Sequence, residues 1–137
     1  MKLDQSQIQL MNGLDKIANV MPRDCFVGDN SVVFLVHEEH MKKAIGKNGA
    51  TIEKISKTLN KRVELFEYTK EPEKFFEKAF YRAKIEKVEI RETKNGKIAL
   101  ISADNTNKRI MLQNMGRLKK IKQLAKRNYE IGEVRIR

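Results

Sequence analysis

Cysteine and histidine are nearly missing from this chain, and their scarcity excludes whole classes of protein. One cysteine, Cys25, leaves no internal disulfide to form, so the chain is not a disulfide-stapled extracellular scaffold. The two histidines, His37 and His40, stand beside Glu38 and Glu39. No further Cys or His joins them, and no metal site is expected. Two prolines and seven glycines in 137 residues rule out a collagen-like or low-complexity chain. No apolar run approaches the roughly 20 residues that cross a bilayer, and the opening MKLDQSQIQLMNGL is too polar and acidic for a signal peptide. A P-loop, a Rossmann fingerprint and paired carboxylates are also missing, so neither an enzyme nor a cofactor is expected. The expectation is a soluble, cytoplasmic, monomeric protein with no membrane partner.

The hydrophobic fraction of 40% is enough for folded cores, and the chain uses it twice. A shift of 66 positions lays Leu112-Gln113-Asn114-Met115 over Gly46-Lys47-Asn48-Gly49. Around those tetrapeptides, Asp29-Asn30 falls on Asn95-Gly96, Val32 to Leu35 on Ile98 to Ile101, and Ile52 and Ile55 on Leu118 and Ile121. Two small units are expected, residues 1–67 and 68–137. A unit of that size buries only about 60% of its unfolded-chain surface, which favours two units packed side by side.

Periodicity predicts the elements. Ile8, Met11, Leu14 and Ile17 form one helical stripe, with Asp4 or Ser6 as cap. Asp24 to Val27 and Ser31 to Val36 read as strands around Gly28-Asp29-Asn30. A short helix follows His37, with Met41, Ala44 and Ile45 facing inward, and ends at Gly46. Ile52, Ile55 and Leu59 mark the next helix, and Val63 to Phe66 a strand. In the second unit Pro72 sits in the first turn of a helix carrying Phe75, Phe76, Ala79, Phe80 and Ala83. Ile85 to Thr93 and Lys97 to Ala103 form a hairpin around Asn95-Gly96. Asp104-Asn105 caps a helix ending near Met111; Leu118, Ile121 and Leu124 or Ala125 mark another, and Val134 to Ile136 a last strand.

Charge is unequal between the halves. Residues 1–68 hold 10 Lys+Arg against 9 Asp+Glu, and residues 69–137 hold 19 against 9. Lys108 to Arg127 contains eight basic residues and no acid, a field that attracts polyanions, chiefly nucleic acid. A solvated lysine-rich face is the plain alternative.

The Gly46 to Gly49 loop supplies a more specific reason for a nucleic-acid partner. Glycine lets backbone lie against a sugar-phosphate chain, and a helix starting at Ala50 aims unpaired N–H groups and its positive dipole end at that phosphate. Lys47 adds a mobile charge, Asn48 tolerates left-handed backbone, and Ile45, Ile52 and Val63 line a groove suited to unpaired bases. In the second unit Leu112 and Met115 stand where the glycines were. A slipped alignment through Gly116 would break the Leu118 and Ile121 match, so the unshifted register with a degenerate loop is preferred.

The segment AIGKNGATIEKI resembles the signature of KH domains, which clamp about four nucleotides over such a loop. An extra helix and strand before the loop resemble the type II, prokaryotic form. Two such units in tandem, ending in Glu133-Val134-Arg135-Ile136-Arg137, resemble the stand-alone archaeal NusA-like transcription factors. The resemblance implies an α+β fold of two tandem type II KH domains, each a three-stranded mixed sheet with helices packed on one face. It implies single-stranded RNA, the nascent transcript, as ligand in termination or elongation, and RNA polymerase as a partner. The expected RNA-binding residues are Ile45, Gly46, Lys47, Asn48, Gly49, Ile52 and Lys54, with Arg117, Lys119, Lys120 and Lys122 extending the contact. A ribosome-associated or ribosome-assembly KH protein, and a polymerase-docking interaction module, remain open as alternatives.

Overall fold

The first helix begins where its cap chemistry dictates. In the computed structural model, which describes residues 3–137, α1 spans Gln5–Ala18 and Asp4 is its N-cap. The Asp4 carboxylate accepts the Gln7 N–H at 2.8 Å while Gln7 Oε1 accepts the Asp4 N–H at 3.0 Å, a reciprocal capping box. Met11, Leu14 and Ala18 form its buried stripe. The chain splits between Thr69 and Lys70 into two compact units, and each repeats one plan.

In the first unit β1 (Asp24–Val27) and β2 (Ser31–His37) form an antiparallel hairpin closed by the Gly28 N–H on the Ser31 carbonyl at 2.7 Å. β3 (Arg62–Tyr68) pairs with β2 in parallel, giving the order β1-β2-β3. A parallel return needs a crossover, which α2 (Met41–Ile45) and α3 (Ala50–Leu59) provide. Val32, Phe34 and Val36 of β2 meet Leu14, Ala44 and Ile55 in one core. Ser31, Val33 and Leu35, on the opposite face, are buried too, so Val32 to Val36 form an unbroken apolar run after the buried Ser31. Full burial of Phe34 alone contributes about 1.5–3 kcal/mol.

The second unit starts with α4 (Pro72–Ala79), Pro72 standing at its first turn. β4 (Lys87–Thr93) and β5 (Gly96–Ser102) are antiparallel, and β6 (Ile131–Ile136) joins β5 in parallel, in the order β4-β5-β6. α5 (Asn105–Gln113) and α6 (Met115–Tyr129) make the crossover. Ala99, Ile101, Leu118, Ile121, Leu124 and Ala125 are buried, with Phe75 and Phe76. Phe75 packs 5.1 Å from the Tyr129 ring. Both units are thus α+β with a three-stranded mixed sheet, and among the described residues no helix is long and apolar enough to cross a membrane.

One expectation needs correction. Ile45 does not face inward with Ala44: it is 38% exposed, because α2 lasts only five residues and Gly46 turns the chain before the helix can settle against the sheet. The last strand expected at Val134 to Ile136 lies within β6, at a place that the 66-residue shift of β3 does not give. β3 would fall on residues 128–134, yet β6 begins at Ile131, since α6 has 15 residues against 10 in α3. The surplus is a little over one helical turn, and a bulge between Lys97 and Ile98 re-registers β5 against β6.

Candidate nucleic-acid interface

Backbone conformation comes first in the loop between α2 and α3. Gly46 has φ 78° and ψ 170°, Asn48 φ 53°, and Gly49 φ 76°. The Gly46 N–H closes α2 on the Lys42 carbonyl at 2.9 Å, and the Gly49 N–H returns to the Gly46 carbonyl at 3.2 Å. The two glycines are required for different reasons. A Cβ on Gly46 would collide with the Thr51 hydroxyl and lie 2.7 Å from both Thr51 Cβ and the Thr51 backbone N, whereas one on Gly49 would meet only Ile52 Cγ2, at 3.8 Å. Gly46 is needed for space and conformation, and Gly49 for conformation. Asn48 takes the left-handed region its short polar side chain tolerates.

Gly49 is the N-cap of α3 and offers no capping side chain; the Ala50 N–H closes on the Lys47 carbonyl, and Glu53 stands in the first turn of the helix. Lys47, Asn48 and Lys54 are exposed, Gly46, Gly49 and Ile52 partly so, and Ile45 stands clear of the core. The seven residues expected to act together therefore occupy one α2–loop–α3 segment. Val63 is half-buried on β3, packed against the core.

The second unit rebuilds this corner. α5 ends at Gln113 and α6 begins at Met115, with Asn114 alone between them. Asn114 has φ −100°, and its side chain accepts the Arg117 N–H at 3.0 Å, capping α6. Gly116 lies inside α6, so the slipped alignment does not hold. Leu112 and Met115, at the former glycine positions, are 47% and 54% exposed. Arg117 is half-buried: its Nε donates to the Ala79 carbonyl at 2.9 Å, and its guanidinium lies 4.8 Å from the Tyr81 ring centre. Lys119 and Lys122 are exposed on α6, and Lys120 is partly buried.

Three residues escaped sequence reasoning. Thr51 fills the space beside Gly46, a contact that exists only once the left-handed turn has formed. Tyr81, 62% exposed, follows a helix and carries no period to flag it. Asn107 accepts the Lys84 N–H at 2.8 Å and donates to Asp104 at 3.0 Å, tying the segment before β4 to the start of α5. The backbone and side-chain N–H groups of Asn107 hold the Asp104 carboxyl below its ordinary pKa.

Other polar groups have local partners. His37 lies edge-on to Tyr68 at 5.0 Å, over whose ring Arg23 stacks at 4.2 Å. Cys25 is buried with its Sγ 3.6 Å from the Gln7 carbonyl. Among the described residues no three or more His, Cys, Asp or Glu side chains gather as a metal site.

Comparison with known proteins agrees with this geometry. The KH domain family matches residues 10–70, the span that contains the loop. The probable transcription termination protein NusA of Halococcus morrhuae is 31% identical over 114 residues, covering 82% of this chain and 81% of that protein. The protein of the same description from Methanocaldococcus jannaschii is 26% identical over 136 residues, 98% of this chain and 74% of its own length. The crystal structure of APE1850 has the same fold, with a TM-score of 0.89 at 25% identity over 98% of this chain and 100% of that one. A left-handed Gly-x-x-Gly loop in one unit, rebuilt as a capped helix corner in the other, thus belongs to a chain of the archaeal NusA-type KH-domain family.

Proposed function

We propose that this protein is a non-enzymatic RNA-binding factor of transcription termination, and that its first unit clamps a short unpaired segment of the nascent transcript. The observation that carries this reading is the Gly46 to Gly49 loop. Its two glycines and Asn48 hold positive φ, with no side chain capping the start of α3. Phosphate oxygens approach the loop backbone and the α3 dipole, while Lys47 and Lys54 neutralise charge. Ile45 and Ile52 give the adjoining bases an apolar floor, and single-stranded ligands fit because stacked duplex bases cannot reach it.

Lys119, Lys120 and Lys122 add sequence-independent attraction for the phosphate chain, raising the local RNA concentration at the clamp. Arg117 is assigned to holding α4 and α6 together, since its guanidinium serves Ala79 and Tyr81. RNA polymerase is the expected neighbour, as the transcript emerges from it.

The test replaces the two exposed loop side chains and spares both glycines. Lys47→Asp with Asn48→Asp puts two negative charges where phosphate would lie, and Asp tolerates the left-handed region at position 48. Affinity for an unstructured RNA, measured by fluorescence anisotropy, should fall at least about tenfold with the circular dichroism spectrum unchanged. Wild-type affinity in that variant refutes the clamp.

A further inference from the structure

The corner that lost its glycines has become an apolar feature inside a cationic field. Tyr81, Leu112 and Met115 are three of the seven large hydrophobic residues exposed among the described residues, and all three belong to the second unit. Met115 opens α6, and Lys119, Lys122 and Lys126 follow it at i+4, i+7 and i+11, all exposed. That spacing keeps one face of a helix, so a methionine and three lysines run along roughly 16 Å of surface. Leu112 stands in the last turn of α5, with Arg109 exposed one turn before it. Between Asp104 and Glu130 the sequence holds no acid.

We infer that this α5–α6 corner docks an acidic protein segment carrying apolar anchors, Leu112 and Met115 receiving the anchors and Lys119, Lys122 and Lys126 the carboxylates. Charge complementarity sets the sign of the partner. The apolar residues decide that it is a polypeptide. A phosphate chain gains nothing from leucine and methionine at the positions closest to it, and Asn114 already caps α6, so this helix start lacks the opening seen at Gly49. Bases stack best on aromatic faces, yet the exposed Tyr81 ring has Arg117 over it. Methionine, arginine and aromatic side chains are the types enriched in protein–protein contacts, and flexible methionine adapts to varied apolar anchors.

This inference goes beyond the RNA clamp and does not rest on it. Its test uses the full chain and three labelled probes: a 16-residue peptide of Asp and Glu with leucines spaced at i and i+4, the same peptide with serine at the leucine positions, and an unstructured oligouridylate. The wild type should bind the leucine peptide at least tenfold more tightly than the serine peptide. Leu112→Ser with Met115→Ser should erase that difference and leave oligouridylate affinity within twofold, while Lys119→Ser with Lys122→Ser weakens both peptides. Equal binding of the two peptides, or none of either, overturns the inference. A loss of oligouridylate affinity in the Leu112/Met115 variant as large as the loss for the leucine peptide also overturns it and assigns the corner to RNA. The Lys47/Asn48 variant should bind the leucine peptide as the wild type does, so failure of the clamp and failure of this docking surface are read separately.

Discussion

Gly46-Lys47-Asn48-Gly49 and Leu112-Gln113-Asn114-Met115 occupy equivalent places in two copies of one plan, and they share one residue that does opposite work. Asn48 sits at φ 53° in an open turn, its side chain exposed. Asn114 sits at φ −100° and spends its side chain capping the next helix. Between two glycines the asparagine lies in left-handed backbone, whereas between Leu112 and Met115 it is an N-cap in a turn of one residue. The lesson is that this loop is defined by its glycines and not by its polar residues: without them the same asparagine closes the helix start it would otherwise leave open.

The largest way to break the contrast is to put a Cβ back into the open loop. Gly46→Ala meets the Thr51 backbone and a left-handed φ, and should cost about 2–4 kcal/mol from overpacking and backbone strain together. Gly49→Ala carries only the conformational cost, about 1–2 kcal/mol. Leu112→Ala, exposed at the equivalent of Gly46, should stay within about 0.5 kcal/mol. Urea unfolding ranks the three, and equal losses at Gly46 and Leu112 would dissolve the distinction.

A smaller effect sharpens what the rebuilt corner gained. Arg117→Lys keeps the charge but loses the directed Nε–H bond to Ala79 and the flat stack on Tyr81, costing about 1 kcal/mol. Lysine presents a point charge in place of a planar fork. RNA affinity of this variant should match the wild type; a clear fall would make Arg117 a phosphate contact instead of a strut.

The smallest effect concerns pH. The Asp104 cap of α5 has a lowered pKa because Asn107 donates to its carboxylate, so the folded state holds that proton more weakly than the unfolded chain. Its contribution is present above the ordinary carboxyl value of 3.8 and is lost as the pH falls through the folded value. Asp104→Asn keeps a capping oxygen and removes that dependence. Melting temperatures at neutral pH and near pH 3 should therefore diverge less in the variant than in the wild type.

Much of the architecture was legible because it rests on local chemistry. The Asp4 and Asp104 caps, Pro72 at its helix start, the Asn95-Gly96 turn and the stripes of Ile55 and Ile121 each depend on neighbours within a turn or two. Ile45 was misread because periodicity assumes a helix long enough to repeat, and α2 is only five residues. The last strand was read only over its second half, Val134 to Ile136, because Gly132 and Glu133 interrupt the apolar pattern that starts at Ile131. Arg117 looked like one more surface cation; its burial depends on Ala79 and Tyr81, 38 and 36 positions away.

What the sequence by itself determined is the repeated order of helices and strands, the position of the Gly-x-x-Gly loop and the excess of positive charge in the second half. Those follow from residue spacing and backbone preference, which act over a few residues. Only the tertiary structure decided that Gly46 has no room for a Cβ, that Asn114 closes α6, that Arg117 bonds Ala79 and stacks on Tyr81, and that Leu112 and Met115 face solvent. Each of those depends on which distant atom fills the space beside a residue, and spacing along the chain does not carry that information.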